Sequence, residues 1–561
     1  MTAQGMAAPV SITFLGGLGD IGRNCAVIEA DNELLLLDCG QLFPDDLMPG
    51  ADSVLPDLSY LDDKGDRIVG CITTHGHEDH IGALSHALRR FEFPIFGSPF
   101  TIGMVRTRLD EAGVSDRTHL VPVADNERLA IGGFECEFLP VTHSVPSGLI
   151  SVINTSQGVI VHSSDFKLDE NPVDGRRTDM GRLRALAERP GVRLLLCDST
   201  NADVPGHTQS ESEIGPVLEQ VFADNVGRRV ITASFSSHIH RVQQVASAAI
   251  GAGRVVATLG MSMKRNVALA RELGLLTIPD TSFVDLEDAV DLPPGQVCVI
   301  STGSQAEARS ALALAAVGDS RWLQIGPDDT VVMSSTPVPG NEARVWRMVD
   351  DLVRRGARVR HTGHLGLHTS GHGKQEELEE LHRTVQPEWF VPVHGEYHHM
   401  VAHAELAERM GLARDHIVVA TDGDQVVLSD DGLELIEKVT PGSYTFVHGE
   451  LTEDDHDVFR ERLILGDQGV VIATATVDLG ARQLLGEVAV ESRGWLGDEH
   501  FDEITADAVA ELHQAVVTVL EGDDPVTVEV VERRMRRAVG QFVNVRTGRR
   551  PMIVPLVTPV P

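Results

Sequence analysis

The sequence predicts an α/β protein: a layered sheet interrupted by an inserted α/β domain and followed by a small α+β unit. Three observations carry this expectation. The first two hundred residues read as strands with few helices, several ending on a chemically capable residue. Near residue 211 the texture switches to alternating helices and strands, and after about Gly363 strands and loops return, rich in histidine. A chain of 561 residues exceeds the size at which one core stops growing, so two or three domains are expected.

In chain order, the period-2 and short apolar runs at 11–15, 25–29, 34–38, 68–74, 134–140, 150–154, 159–162 and 193–197 predict strands. The insert alternates: helices over 212–223, 240–252, 264–273, 307–316 and 341–355, strands over 229–234, 255–259, 297–300 and 330–333. From residue 451 come two strands, helices over 505–520 and 526–537, and a terminal strand over 552–557. The expected boundaries are 1–208 and 363–445 for two parts of one domain, 209–362 for the insert and 451–561 for the C-terminal domain. There is no internal repeat or low-complexity segment.

Composition narrows the function classes. No apolar run reaches the roughly 20 residues of a membrane span, and the N-terminus lacks a signal-like region, so the cytoplasm is the expected compartment. Six cysteines (Cys25, Cys39, Cys71, Cys136, Cys197, Cys298) form no CxxC pair, which argues against disulfides and thiolate zinc sites. A net charge of −36 ordinarily argues against a polyanionic partner. The average hides a local exception. From Val531 onward seven arginines (Arg533, Arg534, Arg536, Arg537, Arg546, Arg549, Arg550) face one acid, Glu532, leaving a solvated face, an RNA contact or a subunit contact open.

The most informative motif is His75-Gly76-His77-Glu78-Asp79-His80, directly after an apolar stretch. Two histidines at i and i+2, then Asp-His, can present nitrogen and oxygen ligands to two adjacent cations, more than one tetrahedral structural site needs. Further candidates also follow strands: His143 in Val141-Thr142-His143-Ser144, Asp165 in Ser163-Ser164-Asp165-Phe166-Lys167, and His394 in Pro392-Val393-His394-Gly395-Glu396. Asp38, after four leucines, is expected to orient the cluster by hydrogen bonding. Gly17-Leu18-Gly19-Asp20-Ile21-Gly22 fits a dinucleotide fingerprint, but a strand rather than a helix follows, so a tight loop is expected. His368-Thr369-Ser370-Gly371-His372-Gly373 has the composition of a phosphate cradle.

These residues reach a family. His75 to His80 with Asp38, His143 and Asp165 in order resemble the metallo-β-lactamase fold, an αββα sandwich with a two-metal site at one edge. Asp198 in Cys197-Asp198-Ser199-Thr200-Asn201, His372 in Thr369-Ser370-Gly371-His372-Gly373, and His394 resemble motifs A, B and C of the β-CASP nucleases, in which an inserted domain covers the active site. Phe14-Leu15-Gly16-Gly17-Leu18-Gly19-Asp20-Ile21-Gly22-Arg23-Asn24, Ile239-His240-Arg241-Val242-Gln243-Gln244, Ser301-Thr302-Gly303-Ser304-Gln305 and Arg549-Arg550-Pro551-Met552 are similar to the ribonuclease J family of 5′-to-3′ exoribonucleases with endonuclease activity. The resemblance covers essentially the whole chain. It departs at Ser164, usually glycine, at Ser147, often aspartate, and at His238, commonly asparagine.

The resemblance implies that His75, His77 and His143 hold one divalent ion and Asp79, His80 and His394 another, with Asp165 bridging. Nitrogen-rich ligation favours zinc, and the two carboxylates are compatible with manganese. It further implies Asp79, Asp198 and His372 as catalytic residues, and Ser234, Ser237, His368, Thr369, Ser370, Gly371 and His372 as contacts to a substrate preferring a 5′-monophosphate. The implied partners are single-stranded RNA, a second copy in a homodimer or homotetramer, and an RNA-decay complex. Two other classes stay open: a small-molecule hydrolase of thiol-ester or lactam type, and an RNA-binding scaffold.

Overall fold

The computed structural model describes residues 7–307, 309–338, 341–361, 366–449, 451–453 and 457–560. The boundary expected at 362/363 falls outside them. Two compact units emerge, one of Met1–Phe43 with Asp52–Thr452 and one of Pro44–Ala51 with Glu453–Pro561.

In the first unit two sheets face each other. An eight-stranded sheet runs in the order Gly432–Ile436, Gln425–Ser429, Val10–Gly16, Cys25–Ala30, Glu33–Leu37, Ile68–Ile72, Ile95–Gly97, Leu120–Pro122. A six-stranded sheet runs Trp389–Val393, Val192–Asp198, Gly158–His162, Gly148–Thr155, Phe134–Val141, Arg128–Ile131. Ile12, Phe14, Leu35, Leu37 and Ile72 pack between the sheets against Phe138, Ile153, Leu194 and Val391. The opposite faces are covered too. Leu34 and Leu36 meet the helices Leu84–Arg90 and Pro99–Ala112, while Leu195 and Val161 meet helices Met180–Glu188 and Gln375–Val385. Strands covered on both faces show apolar runs rather than alternation, hence four consecutive leucines. The result is the αββα sandwich, with a mixed-sheet topology in which Glu33–Leu37 pairs parallel with Ile68–Ile72, and Gly158–His162, Val192–Asp198 and Trp389–Val393 run parallel to one another.

The insert has its own five-stranded parallel sheet, ordered Val255–Leu259, Val297–Ser301, Arg229–Ala233, Asp329–Met333, Arg358–His361. In such open sheets ligands bind outside the carboxyl ends of the strands, where the order reverses. Ser234, Thr302 and Ser334 follow three of those ends. The second unit packs helices Asp498–Leu520 and Val528–Thr547 on the strand Val470–Asp478, with Met552–Val560 parallel beside it.

Several expectations need correction. The first two hundred residues also hold the fourteen-residue helix Pro99–Ala112, and after residue 366 the helices Gln375–Val385 and Tyr397–Arg409 accompany the expected strands. The insert helix expected over 307–316 is Ala311–Val317. The second unit opens with the helix Asp457–Gln468, and its last helix runs to Thr547, because Val539 and Val543 continue the buried stripe of Val531 and Met535. All six cysteines are buried and free.

Candidate metal centre

Several candidate ligands sit at the carboxyl ends of strands that run in one direction, most of them paired in parallel. Asp38 follows Glu33–Leu37, His75 follows Ile68–Ile72, and His143 follows Phe134–Val141; Asp165, Asp198 and His394 belong to the ends of the three parallel strands of the second sheet. The left-handed backbone at Asp38 (φ 58°), Ser164 (φ 57°) and His394 (φ 52°) turns each chain sharply out of its strand. Such conformations cost of order 1–3 kcal/mol in a non-glycine residue and concentrate at functional sites. Ser164→Gly is expected to add about 0.5–1 kcal/mol by relieving that strain, net of glycine's entropy. A thermal melt should rise by roughly 1–3 °C.

Two groups of ligand atoms form, and they share one oxygen. His75, His77, His143 and Asp165 make the first; Asp79, His80, Asp165 and His394 the second. In the first, His75 Nε2 and His143 Nε2 lie 3.0 and 3.2 Å from His77 Nδ1 and 3.6 and 3.8 Å from Asp165 Oδ2. In the second, His80 Nε2 is 3.5 Å from Asp79 Oδ2 and 3.3 Å from Asp165 Oδ2, and His394 Nε2 is 3.8 and 3.1 Å from the same atoms. A tetrahedral ion with bonds of about 2.0–2.1 Å has ligand edges of about 3.3 Å, so both groups have the dimensions of a coordination shell. Burial pushes the His75 and His143 imidazoles well below their usual range and His77 down to about 4. Three neutral rings with converging lone pairs repel unless a cation lies between them, and the residues therefore fit a divalent metal site.

The surrounding hydrogen bonds fix the rings. Asp38 Oδ1 accepts the Thr74 N–H at 2.7 Å, and its Oδ2 accepts from His80 Nδ1 at 2.8 Å, leaving Nε2 as the ligating atom. His143 Nδ1 donates to the Gly371 carbonyl at 2.8 Å with the same effect. A Cβ on Gly371 would lie 2.6 Å from His143 Cε1, so only glycine fits. His372 Nδ1 meets Asp198 Oδ2 at 2.7 Å, and its Nε2 is 3.9 Å from Asp165 Oδ2. Burial acts downward on His372, but the Asp198 charge and hydrogen bond outweigh it and hold the ring up at about 9. Asp198 is itself fixed by Thr200, whose N–H and hydroxyl donate to Oδ1 at 2.9 and 2.7 Å.

The expected phosphate cradle is close to this pair and partly committed to the protein. Thr369 Oγ1 donates to the Gln209 carbonyl at 2.8 Å, so its hydroxyl hydrogen is spent. Ser370 Oγ accepts from Asn201 Nδ2 and the His372 N–H at 3.0 and 3.1 Å and keeps its own hydrogen to donate. His368 is pushed down to about 3 by burial and then by Arg241, so it is neutral and offers a hydrogen bond rather than a charge. Ser234 and Ser237 are buried at the carboxyl end of Arg229–Ala233. Neither caps the next helix with its side chain, for the cap position of Ile239–Gly251 is His238 and carries no capping bond.

Sequence reasoning missed several residues that build the site. Asn24 Nδ2 donates to the Asp79 carbonyl at 3.0 Å and lies 3.2 Å from His80 Nε2. Asn201 and Thr208 both donate to the His372 carbonyl. The fully buried Glu377 accepts the N–H groups of Leu168, Thr208 and Lys374 at 2.9, 2.7 and 2.9 Å, a convergence that no local signal announces. A further grouping of Asp203, His398 and His399 is a helix cap. The Glu396 N–H donates to His399 Nδ1 at 3.2 Å, which leaves the ring proton on Nε2, facing Asp203.

A two-sheet sandwich whose strand ends converge on one shared carboxylate, with a parallel-sheet insert feeding the same edge, defines a metal-dependent hydrolase of the metallo-β-lactamase superfamily carrying a β-CASP domain. Comparison with known families agrees: residues 18–177 match the metallo-β-lactamase superfamily, 227–352 the ribonuclease J β-CASP domain, 356–420 the RNA specificity domain of Zn-dependent metallo-hydrolases, and 457–560 the ribonuclease J C-terminal domain. Ribonuclease J of Mycolicibacterium smegmatis is 39% identical over 548 residues, 97% of this chain and 96% of the relative. Ribonuclease J of Mycobacterium tuberculosis is 39% identical over 98% of this chain and 97% of its own, and Ribonuclease J 1 of Streptococcus pyogenes 34% identical over 98% and 97%. A crystal structure from Enterococcus faecalis, of a protein of unknown function, superposes with a TM-score of 0.55 at 14% identity, covering 75% of this chain and all of that one; it speaks to the fold alone. The chain belongs to the ribonuclease J family and is a metal-dependent ribonuclease. The RNA specificity domain agrees with RNA as its ligand. Among the described residues no helix is long and apolar enough to cross a membrane.

Proposed function

We propose that this ribonuclease is a two-metal enzyme that degrades single-stranded RNA from the 5′ end, prefers a 5′-monophosphate, and retains endonuclease capacity. The observation that carries this reading is the position of Asp165 Oδ2, which belongs to both ligand groups. His75, His77 and His143 would hold one ion and Asp79, His80 and His394 the other, with Asp165 available to both. The ions are zinc by ligand chemistry, with manganese tolerated by the carboxylates. When bound, such a pair supplies Lewis acidity toward phosphoryl oxygens and a nucleophile at neutral pH.

The chain's own groups do the rest. Asp198 holds the Nδ1 proton of His372, which leaves Nε2 turned toward the pocket to give a proton to the leaving oxygen or a hydrogen bond to phosphate. Asp79 and His77 are the two ligands that are only partly buried, and Asp79 is the catalytic carboxylate of this reading. Ser370 and the backbone of Gly371 bind the terminal phosphate with His368, Thr369 shapes the loop, and Ser234 and Ser237 line the insert's side of the channel. A phosphate held at one distance from the reacting centre selects one scissile bond, so direction follows from geometry.

RNAs bearing 5′-monophosphate, 5′-triphosphate or 5′-hydroxyl ends, labelled at either terminus, test this reading. The monophosphate RNA should disappear fastest, releasing the 5′ label first as a mononucleotide. His372→Ala should slow cleavage by roughly 10²–10⁴. Monophosphate RNA left intact would sink the proposal.

We also take 1–208 with 363–445 as the catalytic domain, 209–362 as the insert and 451–561 as the C-terminal domain, and assign a homodimer or homotetramer to the last. Light scattering should give a multiple of the chain mass for the full protein and the monomer for a chain ending at Thr452. The cut falls there because Tyr444–His448 pairs with Ser53–Pro56 of the first unit. A cytoplasmic RNA-decay complex is the setting this activity suits, checked by co-sedimentation in a cytoplasmic extract.

A further inference from the structure

The C-terminal helix Val528–Thr547 of the second unit carries a feature that the metal centre does not use. Its buried stripe, Val531, Met535, Val539 and Val543, recurs every four residues. The rest of its circumference is basic: Arg533, Arg534, Arg536, Arg537 and Arg546 are exposed, and Arg549 and Arg550 continue past the left-handed Gly548. Residues 528–550 contain only two acids, Glu529 and Glu532. Some arginines of other surface helices are paired, as Arg383 with Glu379 and Arg354 with Asp351. Among the described residues, none of the seven guanidinium groups between 533 and 550 lies within ion-pair distance of a carboxylate.

We propose that this face is a second RNA-contacting surface, which takes up the phosphate backbone of long substrates independently of their sequence. Arg533, Arg534 and Arg537 share one face, with Arg536 at its edge, and like charges this close repel each other until counter-ions or a polyanion neutralise them, which a polyphosphate does with release of the counter-ions. The residue type is apt, because the planar guanidinium binds phosphate oxygens two at a time. Arg533 and Arg537 stand one helical turn apart, about 6 Å along the axis, with Arg534 beside them. An extended strand can therefore lay successive phosphates along the row. The exposed positions of this helix carry no aromatic ring, so the contact is to the backbone and lacks a stacking platform for bases. A second copy of the same face is the poorer occupant, since a two-fold contact sets arginine against arginine.

The test uses the full-length protein with Arg533→Gln, Arg534→Gln, Arg536→Gln and Arg537→Gln combined, beside a version with lysine at the same four positions. KM and kcat are measured on 5′-monophosphate RNAs of 5 and 30 nucleotides between 50 and 300 mM KCl. With about 0.7 counter-ions released per phosphate on single strands, the glutamine variant should flatten the log–log salt dependence of the 30-mer KM by about 3. Its KM on the 30-mer should rise about tenfold at the lower salt, with kcat and the 5-mer constants unchanged and the lysine version close to wild type. Equal loss on both lengths, an unchanged salt slope, or a shift in oligomeric state with unchanged KM would each overturn the proposal. So would a lysine version as weak as the glutamine one.

Discussion

Asp165→Asn is expected to cost this enzyme both metal ions and essentially all activity, whereas His77→Ala costs one ion. The reason is geometric. His77 Nδ1 takes part in one ligand group alone, while Asp165 Oδ2 stands 3.6 and 3.8 Å from His75 and His143 on one side and 3.3 and 3.1 Å from His80 and His394 on the other. Burial acts upward on the Asp165 carboxyl, but the His394 and His80 imidazoles outweigh it and hold the group well below the usual carboxylate range. The amide keeps the shape and loses the charge. Elemental analysis should read near two ions per chain for wild type, near one for His77→Ala and well below one for Asp165→Asn. Cleavage should fall by at least ~10³ in the first variant and further in the second, since loss of either ion removes one side of the clamp on the scissile phosphate. Full metal content in Asp165→Asn would show that Asp165 does not bridge.

Much of this centre was legible because its grammar is local or strand-terminal. His75 to His80 needed only spacing; Asp165 and His394 needed only the rule that parallel strands bring their carboxyl ends to one edge, and His143 joins them from a strand that runs the same way without pairing with theirs. What escaped is held by distant partners. Glu377 looks like an ordinary first-turn glutamate of Gln375–Val385, yet it binds the Leu168 N–H 209 residues away. The helix Pro99–Ala112 was overlooked because Thr101, Ile102, Val105, Thr107 and Gly103 are weak helix formers. Burial of Phe100, Ile102, Val105 and Leu109 makes it a helix, and only Ser98-Pro99 and Gly113 marked its ends in sequence. The helix Tyr397–Arg409 lay hidden in a histidine-rich stretch, with His398, His399 and His403 along it. His399 in fact caps its helix, and His403, fully buried, reaches the Ser199 hydroxyl at 3.0 Å.

Glu211→Gln is expected to destabilise the first unit by about 3–5 kcal/mol, the usual cost of stranding one partner of a buried ion pair. Arg241 is fully buried and forks onto Glu211 at 2.8 and 2.9 Å, while its Nη1 donates to the carbonyls of Ser334 and Leu367 at 3.0 and 2.8 Å. One side chain thus ties the helix Ile239–Gly251 of the insert to the start of the cradle that ends in His372. Burial alone would raise the Glu211 carboxyl, but its neighbours hold it well below the usual range. His238 ranks first among them, yet burial pushes that ring down to about 4 and leaves it neutral at pH 7, so Arg241 carries the effect. A carboxyl depressed in the folded state contributes fully above its unfolded value near 4.5 and loses that contribution as pH falls through the folded value. Melting profiles from pH 7 to pH 3 should therefore show an acid limb in wild type that is shallower in Glu211→Gln. Arg241→Met should be less damaging than Glu211→Gln, because an orphaned glutamate can take up a proton whereas an orphaned arginine cannot lose one. The double variant should recover part of the loss, giving a coupling energy of 1 kcal/mol or more in a double-mutant cycle, within the usual ~0.5–3 kcal/mol range. Metal content should stay near wild type in all three while KM for 5′-monophosphate RNA rises, since what loosens is the loop that presents Ser370 and Gly371.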